Sequence, residues 1–168
     1  MIARTMTPSS LGTTSLFQET QVFLQNGIVR LVLGLSALFS LGVVSYATVA
    51  EDASMLVLFW TAAGIVLVSF LVGGMGIVTE VASDGVRVNL RPFPGRTYAW
   101  SEIARAEVRT YRPIMEYGGW GLRWGPSGKA YNVYGTEGVQ LTLTNDKRVL
   151  IGSQRAAELA AVIEAHIR

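Results

Sequence analysis

Cysteine is missing from this chain of 168 residues, and with it go disulfides, thiolate metal sites and thiol nucleophiles. Histidine occurs once, at His166, two residues from the C-terminus, where it reads as a surface residue of a terminal helix. Charge is scarce, at 15% of residues, and two stretches, 31–50 and 55–78, hold no Asp, Glu, Lys, Arg or His at all. At about 1.5 Å per residue, each makes a helix long enough to cross the roughly 30 Å hydrocarbon layer of a bilayer. The linker Glu51-Asp52-Ala53-Ser54 only turns the chain back. The pattern therefore predicts a transmembrane hairpin over 28–78, followed by a small water-soluble domain over 79–168. No cleavable signal peptide is expected, because the first apolar run begins late and continues too long.

The cations sit outside the apolar runs. Arg4 and Arg30 precede the first, the other 12 of the 14 Lys and Arg follow the second, and the turn between them carries only acids. The positive-inside bias then places both termini in the cytoplasm of a bacterial inner-membrane protein, with Arg30 snorkelling to the headgroups. Residues 1–14 have the composition of a flexible tail. Leu16, Phe17, Val22, Phe23 and Leu24, set among polar residues, predict a short interfacial helix on the leaflet or an extension of the first span.

Within the hairpin the polar side chains are serines, threonines and Tyr46, whose hydroxyls can return to the helix's own carbonyls. A transporter or channel usually places an ionisable group at membrane depth, and none is found here. Ser36/Ser40 and Ser69/Gly73 have the small-xxx-small spacing that lets helices approach closely, within the hairpin or against another membrane protein. Gly73-Gly74-Met75-Gly76 suggests a pivot between span and domain.

Beyond residue 78 the apolar period changes to two. Val86, Val88 and Leu90 alternate with Arg87, Asn89 and Arg91; Ala104, Ala106 and Val108 alternate with Arg105, Glu107 and Arg109. Trp120, Leu122 and Trp124 follow, then Val139, Leu141 and Leu143. The end of the chain switches to helical spacing at Ala156, Leu159, Ala160, Ile163 and Ile167, with Ser153 as a cap. A membrane α-helical hairpin plus a mainly-β, pleckstrin-homology-like (PH-like) barrel of six or seven antiparallel strands, capped by a C-terminal helix, is the expected fold.

Ala106-Glu-Val-Arg-Thr-Tyr-Arg-Pro113, Glu116-Tyr-Gly-Gly-Trp-Gly121, Gly128-Lys-Ala-Tyr-Asn132, Gly138-Val-Gln-Leu141 and Ile151-Gly-Ser-Gln154 together resemble a bacterial family of two-helix, membrane-anchored PH-like domain proteins. The resemblance implies this fold and membrane placement, and implies no activity.

The segment 111–134 concentrates Tyr111, Tyr117, Trp120, Trp124, Tyr131 and Tyr134 with glycines, Arg112, Arg123 and Lys129. Aromatics beside arginines suit a protein-binding surface. They equally suit a glycine-kinked strand pair, with Trp120 and Trp124 in the core and tyrosines at the rim. Gly125-Pro-Ser-Gly-Lys129-Ala130 fails as a phosphate loop: Arg123 stands where glycine is needed and Ala130 where Ser or Thr is needed. Arg87, Arg91, Arg96 and Arg109 form a basic face that would favour anionic headgroups or remain a solvated surface.

No carboxylate pair, nucleophile with its base, or metal-ligand cluster stands out, so no catalytic residue, metal or cofactor is assigned. With 12 basic against 9 acidic residues beyond residue 78, nucleic-acid binding is not expected either, and no small-molecule substrate is indicated. The expected function is a non-enzymatic, membrane-anchored scaffold binding protein partners. The alternatives are an accessory subunit of a larger membrane complex, respiratory or photosynthetic, and an anionic-lipid-sensing module.

Overall fold

The computed structural model describes residues 15–49 and 54–167; the tail 1–14 and the linker acids Glu51 and Asp52 lie outside the described residues. The two apolar runs form helices α1 (Gly27–Val49) and α2 (Met55–Gly74), long and apolar enough to span a bilayer. Ser54 caps α2, accepting the Leu56 N–H. The hydroxyls of Ser36, Ser40, Thr48 and Thr61 bond back to carbonyls of their own helix, which satisfies them without a partner from outside.

The expected interfacial helix before α1 is instead a strand, β1 (Phe17–Val22). It pairs antiparallel with β2 (Gly76–Ala82), in register from Phe17↔Val81 to Val22↔Gly76. The alternation of β1 is hidden in sequence because two of its inward positions are polar. Glu19 accepts from the Ser153 hydroxyl and the Gln154 N–H, and Gln21 donates to the Gly152 carbonyl at 3.0 Å. These bonds take the place of water at the Glu19 carboxylate and the Gln21 amide nitrogen, so the strand holds without an apolar stripe.

The domain is therefore not confined to 79–168. It is discontinuous, with the hairpin of two apolar helices inserted between two neighbouring strands of one sheet. The second helix also ends before the apolar run does, since Ile77 and Val78 belong to β2. No pivot joins the parts: Phe23 donates to the Met75 carbonyl, and a side chain at Gly76 would meet the Gln21 carbonyl oxygen at 2.6 Å. Glycine at 76 permits this close pairing rather than flexibility.

The first sheet continues through β3 (Gly85–Arg91) and β4 (Arg96–Ala99), in the order β1-β2-β3-β4. A 3-10 turn leads into β5 (Ile103–Thr110), which opens the second sheet. A short helix, α3 (Pro113–Tyr117), precedes β6 (Gly121–Gly125), β7 (Gly128–Asn132), β8 (Glu137–Leu143) and β9 (Arg148–Gly152), in the order β5-β8-β9-β7-β6. The described residues thus hold nine strands, more than the six or seven expected, and β7 pairs with β9 in parallel.

The inner faces of both sheets share one core with Leu159 and Ile163 of the C-terminal helix α4 (Ala156–Ile167). As expected, Ala156, Leu159, Ala160 and Ile163 are the buried stripe, and Ser153 accepts the Arg155 N–H just ahead of it. A bulge between Ile103 and Arg105 shifts the alternation of β5, leaving Ala104 and Val108 exposed while Ala106 stays buried.

Candidate functional site

The aromatic segment resolves in the reverse of the expected sense. Tyr111, Tyr117 and Tyr131 are buried, whereas Trp124 is 70% exposed. The chain from Tyr111 to Trp120 runs over the outer face of the second sheet, where Tyr111 and Tyr117 pack on Ala130 and Leu150 as a second small core, their rings edge to face. Tyr131 points into the main core and accepts a hydrogen bond from the Tyr98 hydroxyl at 3.4 Å. Burial, reinforced by Tyr131, raises the pKa of Tyr98; burial likewise raises Tyr117 and pushes Tyr111 up to about 12.

Three of the eight residues expected to meet a partner are therefore structural, because a buried ring offers no contact area. Trp120 and Tyr134 are half-buried, with Tyr134 packed against the core. Arg112 and Arg123 are exposed; the Arg123 guanidinium donates to the Trp120 carbonyl at 2.8 Å. Lys129 alone joins a larger feature.

That feature is a cleft of about 720 Å³ between β4, the β6–β7 turn and the β8–β9 turn. Arg96, Trp124, Lys129, Lys147 and Arg148 line it, with Asp146 as its one carboxylate. The Lys129 ammonium lies 5.4 Å from the Trp124 ring centroid and 4.7 Å from that of Tyr131, within cation–π range. Arg96 stacks over Tyr98 at 4.9 Å and reaches Glu102 at 3.6 Å.

Local backbone chemistry sets this shape. A side chain at Gly128 would strike the Arg148 carbonyl oxygen at 2.3 Å, and its φ of +104° favours glycine. Asp146 takes φ 61° in the β8–β9 turn, which swings Lys147 and Arg148 to the rim. The segment resembling a phosphate loop is thus the β6–β7 hairpin turn, and a strand follows it.

The cleft lies far along β6 from the root of the spans. Gly121, at the start of β6, abuts the Phe23 ring, which a methyl group added at that glycine would meet at 3.6 Å. Gly125 is four residues further on. At roughly 3.3 Å per residue, that is about 13 Å along β6 from the Phe23 contact.

The expected lipid-facing face divides. Arg87 is held by Glu80 at 3.6 Å and Asp84 at 3.2 Å. Arg109 pairs with Glu116 and donates to Gln140. Arg96 belongs to the cleft. Only Arg30, in the second turn of α1, and Arg91, paired with Gly76 at the span root, stand beside the hairpin. Of the residues expected in helix packing, Ser36 and Ser69 line a shared groove between the spans with Trp60, Thr61 and Gly64. A methyl group added at Gly73 would instead meet Leu24 at 3.5 Å, and the Ser40 hydroxyl is taken up by the Ser36 carbonyl.

Sequence reasoning missed Lys147 and Arg148, though a basic pair directly after an Asn-Asp turn marks a loop tip. It also missed Asn26. This side chain is 4% exposed; its oxygen accepts the Ile28 N–H at 2.9 Å, capping α1, while its nitrogen donates to the Val133 carbonyl at 2.9 Å. An asparagine directly ahead of an apolar run is a helix-start signal. No group of three or more metal-ligating His, Asp or Glu side chains occurs among the described residues. Comparison with protein-family models, curated proteins and solved structures yields no match.

Proposed function

We propose that this protein is a non-enzymatic, membrane-anchored interaction module of the bacterial inner membrane, with both termini cytoplasmic and a PH-like domain that binds an acidic segment of a partner protein. The observation that carries this reading is the cleft: four cations against one carboxylate, beside a tryptophan 70% exposed to water. An exposed indole supplies contact area at little entropic cost, and the cations supply steering and charge complementarity. The 12 cations beyond the spans and the acids of the linker support the cytoplasmic orientation.

The test is a photo-crosslinking side chain placed at position 124 of the full-length protein in its own membranes. The expected product joins one partner chain through an acidic segment, and disappears when Lys147→Glu and Arg148→Glu are introduced together. Crosslinking no stronger than from exposed Ser83 would contradict the proposal.

The groove between the spans favours a second reading, an accessory subunit held in a larger membrane assembly by a neighbouring helix. Its small residues would let such a helix approach closely. Gly64→Leu should then release the protein from the assembly while leaving the crosslink at position 124 intact.

A further inference from the structure

The β3–β4 turn stands beside the place where the chain enters the membrane, and its chemistry suits a bilayer surface. Arg91, the last residue of β3, pairs with Gly76, two residues after α2 ends at Gly74. Paired Cα atoms lie roughly 5 Å apart, and β3 runs toward the hairpin, so the turn projects on the side of the spans. The chain then reverses tightly, with the Phe93 N–H donating to the Leu90 carbonyl at 2.7 Å. Phe93 is the tip of the first sheet at that end, and it is 56% exposed.

Pro92 and Pro94 flank it, and neither has an N–H to desolvate. Of the four turn residues only Phe93 and Gly95 carry an N–H, and that of Phe93 is already bonded. Phe93 and its two prolines therefore enter an interfacial layer without stranding a donor of their own, the usual cost of burying backbone. Arg91 is exposed and has no ion pair among the described residues, unlike Arg87 and Arg109. Arg30 adds a second such cation one turn into α1. The end of the first sheet beside the helices thus carries an apolar tip and cations without an ion pair among the described residues.

We infer that Phe93, with Pro92 and Pro94, inserts into the headgroup layer of the anchoring leaflet, while Arg91 and Arg30 meet lipid phosphates. The inference rests on the reading of α1 and α2 as membrane spans. The tip makes a third point of attachment beside the two helices. It fixes the tilt of the domain, and so the direction in which the cleft faces.

Because the chain has no cysteine, single-cysteine variants take an environment-sensitive fluorophore at one place only. Phe93→Cys, Leu67→Cys and Ser83→Cys, all at exposed positions, are labelled in full-length protein reconstituted into vesicles of phosphatidylethanolamine and phosphatidylglycerol. Nitroxide-bearing lipid then reports contact with the bilayer. The expected result is loss of emission at positions 67 and 93 and none at 83, the far end of the first sheet. Quenching at 67 with position 93 behaving like 83 would overturn the wedge while leaving the spans intact. No quenching at 67 would overturn the membrane reading, and the wedge with it.

Discussion

Asn26 does two jobs with one amide, and replacing it separates them. Asn26→Ala removes the cap of α1, worth about 1 kcal/mol. It also strands the buried Val133 carbonyl, at about 1–3 kcal/mol, because the bond at 2.9 Å is lost. The expected sum is about 2–4 kcal/mol, and each kcal/mol lowers the midpoint of a domain this size by roughly 4–8 °C. Thermal unfolding in detergent, followed by tryptophan fluorescence, should therefore show a fall of at least about 8 °C. Asn26→Ser keeps an acceptor for the cap but not the donor, and should recover about 1 kcal/mol of the loss. A midpoint for Asn26→Ala equal to the parent's would refute the idea that this side chain ties the span to the β-domain.

Gly76→Val should be poorly tolerated, since its first side-chain carbon would meet the Gln21 carbonyl oxygen at 2.6 Å. Limited proteolysis should then cut within β1, which the parent protects. Tyr117→Ala should cost about 3–5 kcal/mol, as for other buried aromatics, whereas Arg123→Ala, at an exposed site, should shift the melting point little. Equal effects would contradict the packing described on the outer face. Stability should also fall at alkaline pH. Burial pushes Tyr111 from 10.0 up to about 12, so its contribution is complete below pH 10 and is lost as pH rises toward 12. The loss is roughly 2–3 kcal/mol at about 1.4 kcal/mol per pH unit. Denaturant midpoints measured across that window should decline less steeply for Tyr111→Phe, and an unchanged slope would count against the assignment.

The parts of the fold legible in sequence are those where burial and hydrophobicity coincide. The spans declared themselves through the absence of charge, and the stripe of α4 and the alternation of Val139, Leu141 and Leu143 were equally plain. β1 was hidden because Glu19 and Gln21 face inward and hydrogen-bond to Ser153, Gln154 and Gly152. No hydrophobic period survives such a substitution of hydrogen bonds for apolar contact. The roles of the aromatics were inverted for a different reason. Trp124 lies at the cleft mouth, while the crossing chain covers Ala130 and Leu150 and so buries Tyr111 and Tyr117. A crossing of that kind depends on which strands become neighbours, and local pattern does not reveal the order β5-β8-β9-β7-β6. The same holds for the cleft, whose cations come from three separate parts of the chain.

The insertion of the hairpin within a sheet bears directly on function. A domain tethered by one flexible linker samples many orientations. Here both spans continue into adjacent, hydrogen-bonded strands, with Asn26 and Gln21 fastened to the second sheet. Displacement of the two helices is therefore felt in β1 and β2.

The pairing of β1 with β2 is the central claim, and a disulfide tests it most directly in a chain that has no cysteine of its own. Thr20 and Val78 are register partners, so Thr20→Cys combined with Val78→Cys should oxidise readily in native membranes and leave the protein folded. Thr20→Cys with Ser83→Cys, which lies beyond the end of β2, should not. If the first pair crosslinks no better than the second, residues before α1 are not a strand of this sheet, and the account of a hairpin inserted into the domain is wrong.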